Sequence, residues 1–157
     1  HKAYSDKISP KDRLEMCRIA AQTNPKFLAS DIELRRKGKS YTVDTLKELH
    51  KLYPQCEWYL ITGADMFLTV QDWKEADTIF QLATICAAPR DSSDFFVLQK
   101  HANGLKWKKA QFKLLDIPLT NVSSTIIRDK VRRGEDISSL VPAGVAEYIF
   151  AHHLYKE

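Results

Sequence analysis

The apolar positions of this chain recur in two rhythms, one helical and one of short extended runs, and the two take turns along its length. Ser9-Pro10-Lys11-Asp12 reads as a helix start, with a hydroxyl cap, proline at the first helical position and an acid in the first turn. Leu14, Cys17, Arg18 and Ala21 follow at helical spacing. FLASDIEL (27–34) alternates as a strand does, and RRKGK after it reads as a polar loop. Thr42 can cap a second helix, VDTLKELHKLY, whose apolar stripe is Val43, Leu46, Leu49 and Leu52, with Pro54 past its end.

EWYLIT (57–62) reads as a strand running into Gly63-Ala64-Asp65, and helical text resumes through MFLTVQDW and KEADTIFQL. ATICAA (83–88) is almost continuously apolar, as a strand covered on both faces would be, and it ends at Pro89-Arg90. A variable polar piece follows, and FKLLDIP (112–118) is the last predicted strand. NVSSTIIRDKVRRG (121–134) predicts a helix stopping at Gly134, and Pro142 opens a final amphipathic helix, AGVAEYIFAHHLY. Helices alternating with short apolar runs predict an α/β fold, a parallel sheet with crossover helices. Without a repeat, low-complexity tract or linker, one domain over 1–157 is expected.

Composition narrows this only a little. A net charge of +4 and a pI near 8.9 suit an anionic small molecule and nucleic acid alike. The nucleic-acid reading would rest on RRKGK and KVRR, which lack interleaved aromatics or a known motif, so no nucleic-acid partner is expected. Cys17, Cys56 and Cys86 are odd in number, far apart and without metal-site spacing, which predicts reduced, mostly buried thiols in a cytoplasmic protein. His152 and His153 are adjacent, so on a helix they point about 100° apart and cannot share a metal. No metal site is therefore expected. No apolar run approaches the roughly 20 residues of a membrane-spanning helix, and no membrane partner is expected.

Ligands of open α/β sheets bind beyond the carboxyl ends of the strands. Three such ends stand out. Gly63 after WYLIT would let the backbone turn sharply or approach a ligand closely, and Asp65 could accept hydrogen bonds from ribose hydroxyls. The same residues also make a plain strand-to-helix turn. Arg90 after ATICAAP could pair with phosphate through its planar fork, or simply be a surface arginine. After FKLLDIPLT comes a helix mouth. Its free N–H groups and positive dipole end attract phosphate, Ser123 and Ser124 add hydroxyl donors, and Arg128 can reach back to the same anion. A well-capped surface helix would look the same. Trp73 could stack on a planar ring or pack half-buried, and Arg132 and Arg133 read as a solvated face near the helix end.

In this order, HK at 1–2, SPKDRLEM, SYTVDTL, WYLITGADMF, Trp73, Pro89-Arg90, NVSSTIIRDKVRRG and VPAGVAEYI span essentially the whole chain. The sequence resembles the bacterial nicotinate mononucleotide adenylyltransferases, nucleotidyltransferases of Rossmann-like α/β fold with helices on both faces of a parallel sheet. The resemblance implies adenylyl transfer from ATP to nicotinate mononucleotide, with Mg²⁺, in NAD synthesis, and small-molecule partners; it leaves a homo-oligomer open. It implies that Ser123, Ser124, Thr125 and Arg128 hold ATP phosphates, with Ser124 and Arg128 catalytic, and that Gly63 and Asp65 line the nucleotide site. Trp73 would stack on the pyridine ring, Tyr41 and Thr42 would recognise its carboxylate, and Lys2 and Arg90 would face phosphate.

The family opens with a strand and a GGTFDPxHxGH segment whose histidines contact ATP, and nothing like it occurs here. The chain is therefore expected to be the C-terminal portion of a longer enzyme and inactive alone. Two other readings stay open: a pantetheine-phosphate adenylyltransferase of the same superfamily, and a non-catalytic nucleotide-binding domain.

Overall fold

A computed structural model describes residues 8–89, 92–105, 110–118 and 122–156. They fall into two compact units, one from the ranges 1–35 and 122–157, the other from 36–121.

The middle unit is built on a parallel three-stranded sheet in the order β1-β2-β3. Its strands are β1 Tyr59–Gly63, β2 Thr84–Ala88 and β3 Phe112–Leu114. Tyr59 pairs with Thr84, Gly63 with Ala88, and Ile85 with Phe112. The crossover from β1 to β2 carries three short helical pieces, α3 Ala64–Phe67, a 3-10 turn Val70–Asp72 and α4 Ala76–Leu82, and α5 Ser92–Gly104 follows β2. The β-branched and small residues of β2 are buried through its centre, as its almost continuously apolar text implies. Phe67, Val70, Ile79, Ile85 and Leu98 form the centre of this core. The Phe112 ring meets those of Phe67 and Phe80 edge-on at 5.5 and 5.8 Å. Helix α2, Thr42–Leu52, packs against α4 through Val43 and Leu46.

The other unit is helical: α1 Pro10–Ala21, α6 Ser124–Arg132 and α7 Ala143–Ala151. Ser9 caps α1 by accepting from the Asp12 N–H at 3.0 Å, and Pro10 stands at its first position. Val131, Ile137, Val145 and Ile149 form the core, with Met16, Ile19 and Ala20 of α1 laid against it. The Tyr148 hydroxyl donates to Asp12 at 3.0 Å. Hydrogen bonds from Ser9 first and Tyr148 next hold the Asp12 carboxyl below its usual range, while burial first and Asp12 next push the Tyr148 phenol up. Gly134, at φ 71°, ends α6: its N–H reaches Val131 O at 3.0 Å and the Glu135 N–H reaches Lys130 O at 2.9 Å.

Several sequence expectations are corrected. Residues 27–34 form no strand. Ile32 N–H donates to the Ser30 hydroxyl at 3.2 Å, a side-chain bond that competes with extension, and Leu34 N–H reaches the Asp31 backbone carbonyl at 2.8 Å in a turn. The buried face of α1 is Met16, Ile19 and Ala20, and Cys17 lies outside it. Cys56 is exposed as well, so only Cys86 is the buried thiol expected. Burial pushes its pKa up, partly offset by Lys113. Leu52, the last of the predicted α2 stripe, is exposed. The last strand stops at Leu114, and α5 occupies much of what reads as a variable polar piece.

Candidate active site

The mouth of α6 is built from local chemistry. Ser123 takes the extended cap conformation and its hydroxyl accepts from the Ile126 N–H at 3.2 Å. Ser124 and Thr125 open the first turn, exposed to solvent. One turn on, Arg128 folds back toward the start, its guanidinium donating to the Thr125 hydroxyl at 3.3 Å. The other cations of the helix pair with acids: Lys130 with Glu135 at 2.7 Å, Arg132 with Asp129 at 2.8 Å and Arg133 with Glu135 at 3.1 Å. Arg132 and Arg133 are exposed near the helix end, as read. Ser124 and Arg128 also line a cavity of about 320 Å³ together with Arg13, Met16, Ile127 and Val145.

At the exit of β1, the Thr62 hydroxyl donates to Cys86 O at 3.2 Å and pins the strand end. Gly63 caps α3 at φ −73°, ψ 164°, an ordinary extended conformation open to any residue, so the expected sharp turn is not the reason for glycine. A Cβ placed there would meet nothing within 4 Å. What glycine leaves is open space in front of the strand end, beside Asp65 in the first turn of α3. Gly63→Ala is therefore expected to hold or slightly raise folding stability, by at most about 1 kcal/mol through the unfolded chain. If ATP occupies that space, the same change raises its KM. Urea unfolding beside steady-state kinetics separates the two.

The start of α2 differs from expectation. Tyr41 is the cap residue and Thr42 the first helical one, and no side chain caps the helix. The N–H groups of Asp44 and Thr45 both reach Tyr41 O, at 3.0 and 3.2 Å. Trp73 closes the 3-10 turn half-buried against the core. Its neighbour Lys74 crosses to this helix: the ammonium lies 3.2 Å from the Asp44 carboxylate and 4.4 Å from the centre of the Tyr41 ring. Lys47 and Glu75 add a second tie at 2.6 Å, with Glu75 in the left-handed region at φ 50°. Lys74, the residue after Trp73, is thereby held at the first turn of α2 beside the Tyr41 ring. Sequence reasoning missed Lys74 and Asp44, which lie 30 residues apart with no motif between them. Lys2 and Arg90 lie outside the described residues. Among those described, no group of three or more His, Cys, Asp or Glu residues could hold a metal ion, and no helix is long and apolar enough to cross a membrane.

A parallel sheet with helical crossovers defines an α/β protein. The cytidylyltransferase-like family matches residues 1–130. A "Probable nicotinate-nucleotide adenylyltransferase" of Desulfitobacterium hafniense (strain Y51) is 42% identical over 157 residues, spanning 99% of this chain and 76% of that protein. One of the same name from Lachnoclostridium phytofermentans is 36% identical, spanning 99% of this chain and 78% of its own length. The chain belongs to the nicotinate-nucleotide adenylyltransferases, within the cytidylyltransferase-like family. A Plasmodium falciparum nicotinic acid mononucleotide adenylyltransferase, solved as its complex with APC, shares the fold: TM-score 0.68 at 20% identity, over 94% of this chain and 76% of that one.

Proposed function

We infer that this chain serves adenylyl transfer from ATP to nicotinate mononucleotide, giving nicotinate adenine dinucleotide and pyrophosphate, in the cytoplasm. The mononucleotide phosphate oxygen forms the new bond to the α-phosphorus of ATP, and the bond from that phosphorus to the β-phosphate oxygen breaks, releasing pyrophosphate. The nucleophile comes with the substrate, so no activated Ser or Cys is required, and catalysis reduces to alignment and charge stabilisation.

The observation that carries this reading is the α6 mouth, where Arg128 is folded back onto Thr125 beside the Ser123 cap. Backbone N–H groups, two further hydroxyls and a guanidinium there suit a phosphate chain. We assign Ser123, Ser124, Thr125 and Arg128 to the phosphates of ATP, with Ser124 and Arg128 touching the reacting groups. Gly63 and Asp65 are assigned to ATP as well. Trp73 stacks on the pyridine ring, and Tyr41 and Thr42 meet its carboxylate at the start of α2. Lys2 and Arg90 are assigned to the phosphate of the mononucleotide. A Mg²⁺ would be held chiefly by the substrate's own phosphates, where it would neutralise charge on them.

The test is pyrophosphate release from ATP, Mg²⁺ and nicotinate mononucleotide, measured on the natural gene product and on the 157-residue chain. Turnover by the natural product is expected. Nucleotide binding without turnover there would instead make this a binding domain, and faster turnover of 4′-phosphopantetheine would move it to the neighbouring enzyme class.

A further inference from the structure

We propose that the Lys74–Asp44 ion pair sets how strongly the enzyme prefers a pyridine mononucleotide bearing a carboxylate over one bearing a carboxamide. This rests on the reading above, that Tyr41, Thr42 and Trp73 hold the pyridine ring. The two rings differ by one charge, so discrimination depends on the net charge that the corner presents.

Three contributions meet there. The first is the N-terminus of α2, uncapped by any side chain, which carries partial positive charge and favours an anion. The second is Asp44 in the first turn of the same helix, whose negative charge opposes the first for an incoming carboxylate. The third is Lys74, 3.2 Å from Asp44 and over the face of Tyr41 at 4.4 Å, which cancels it. The neighbouring Lys47–Glu75 and Arg36–Glu48 pairs, at 2.6 and 2.9 Å, are each neutral in sum. With Lys74 in place the pair is neutral in sum and the helix end favours the carboxylate. Without it the corner turns negative and repels a carboxylate while leaving a carboxamide almost unaffected. Without Asp44 the corner turns positive and the preference sharpens.

The pair is partly exposed, with side-chain accessibilities of 42% and 35%, so the effect is moderate and screened by salt. In Lys74→Met the ratio of kcat/KM for nicotinate over nicotinamide mononucleotide falls by about three- to tenfold at low salt. In Asp44→Asn it rises by a similar factor of about three to ten. In the double variant it returns close to wild type, because the two changes cancel.

The experiment measures kcat/KM for both mononucleotides at low and high ionic strength on the full-length gene product and these three variants, with circular dichroism to confirm folding. Opposite shifts in the single variants, cancelling in the double and shrinking with salt, establish the proposal. Equal loss for both substrates with the ratio unchanged overturns it, since Lys74 would then only hold the Trp73 segment in place. Failure of the wild type to turn over either mononucleotide defeats the functional reading itself, and the proposal with it.

Discussion

Arg128→Ala in the full-length gene product lowers kcat by about 2–4 kcal/mol of transition-state stabilisation, a loss on the order of thirty- to a thousandfold. Negative charge shifts toward the leaving pyrophosphate as the α-phosphorus is attacked, and a fixed guanidinium at that point stabilises the transition state more than the ground state. The structure supplies the fixing: Arg128 stands one turn into α6 and is drawn back over the helix mouth by Thr125 at 3.3 Å. Its field adds to that of the helix end, whose unpaired N–H groups and dipole carry partial positive charge. The KM for ATP changes less than kcat. Arg128→Lys keeps the charge without the two-pronged fork and falls between. Steady-state kinetics decide the matter, with urea unfolding to show that folding is intact. Wild-type turnover in Arg128→Ala would mean that α6 is a capped surface helix and nothing more.

Phe67→Ala costs about 3–5 kcal/mol of folding stability, through lost burial and the cavity left behind. Phe67 is fully buried, and its ring stands edge-on to Phe112 at 5.5 Å and to His101 at 5.6 Å. It also ends the one-turn helix that carries Asp65, so the same ring anchors the β1 exit. Phe96 on α5 is 75% exposed, and Phe96→Ala changes stability by no more than about 0.5 kcal/mol. Phe67→Leu keeps most of the volume and loses less than alanine. Urea unfolding curves for the three variants test the ordering; equal losses for Phe67→Ala and Phe96→Ala would contradict the packing of the middle unit.

Helix starts were the most legible features. Ser9 caps its helix with Pro10 at the first position as read, because capping is decided within three or four residues. β2 was legible too, since an almost continuously apolar run bounded by Ala83 and Pro89 has few alternatives to a covered strand. Helix α5 escaped notice because Phe95, Phe96 and Val97 are exposed, and so few of its apolar residues fall on the face that Leu98 and Ala102 bury. The strand expected at 27–34 failed for the opposite reason. Alternation alone is not enough, and Phe27 and Leu28 are 62% and 84% exposed while Ser30 and Asp31 close turns. At the site, the α6 mouth could be read from spacing, whereas the sharp turn expected at Gly63 does not occur, since its backbone angles are open to any residue.

The sequence by itself determined where α1 begins, that the fold is α/β, and that a hydroxyl-rich helix mouth follows the last strand, since each depends on chemistry between near neighbours. It also carried enough identity with the nicotinate-nucleotide adenylyltransferases to determine the family. Only the tertiary structure decided which cation stands beside the first turn of α2. Lys74 and Asp44 lie 30 residues apart and meet because α4 packs on α2 and turns the segment ahead of it toward that helix end. The charge presented to a ligand is a sum over groups close in space, and packing alone brings those groups together.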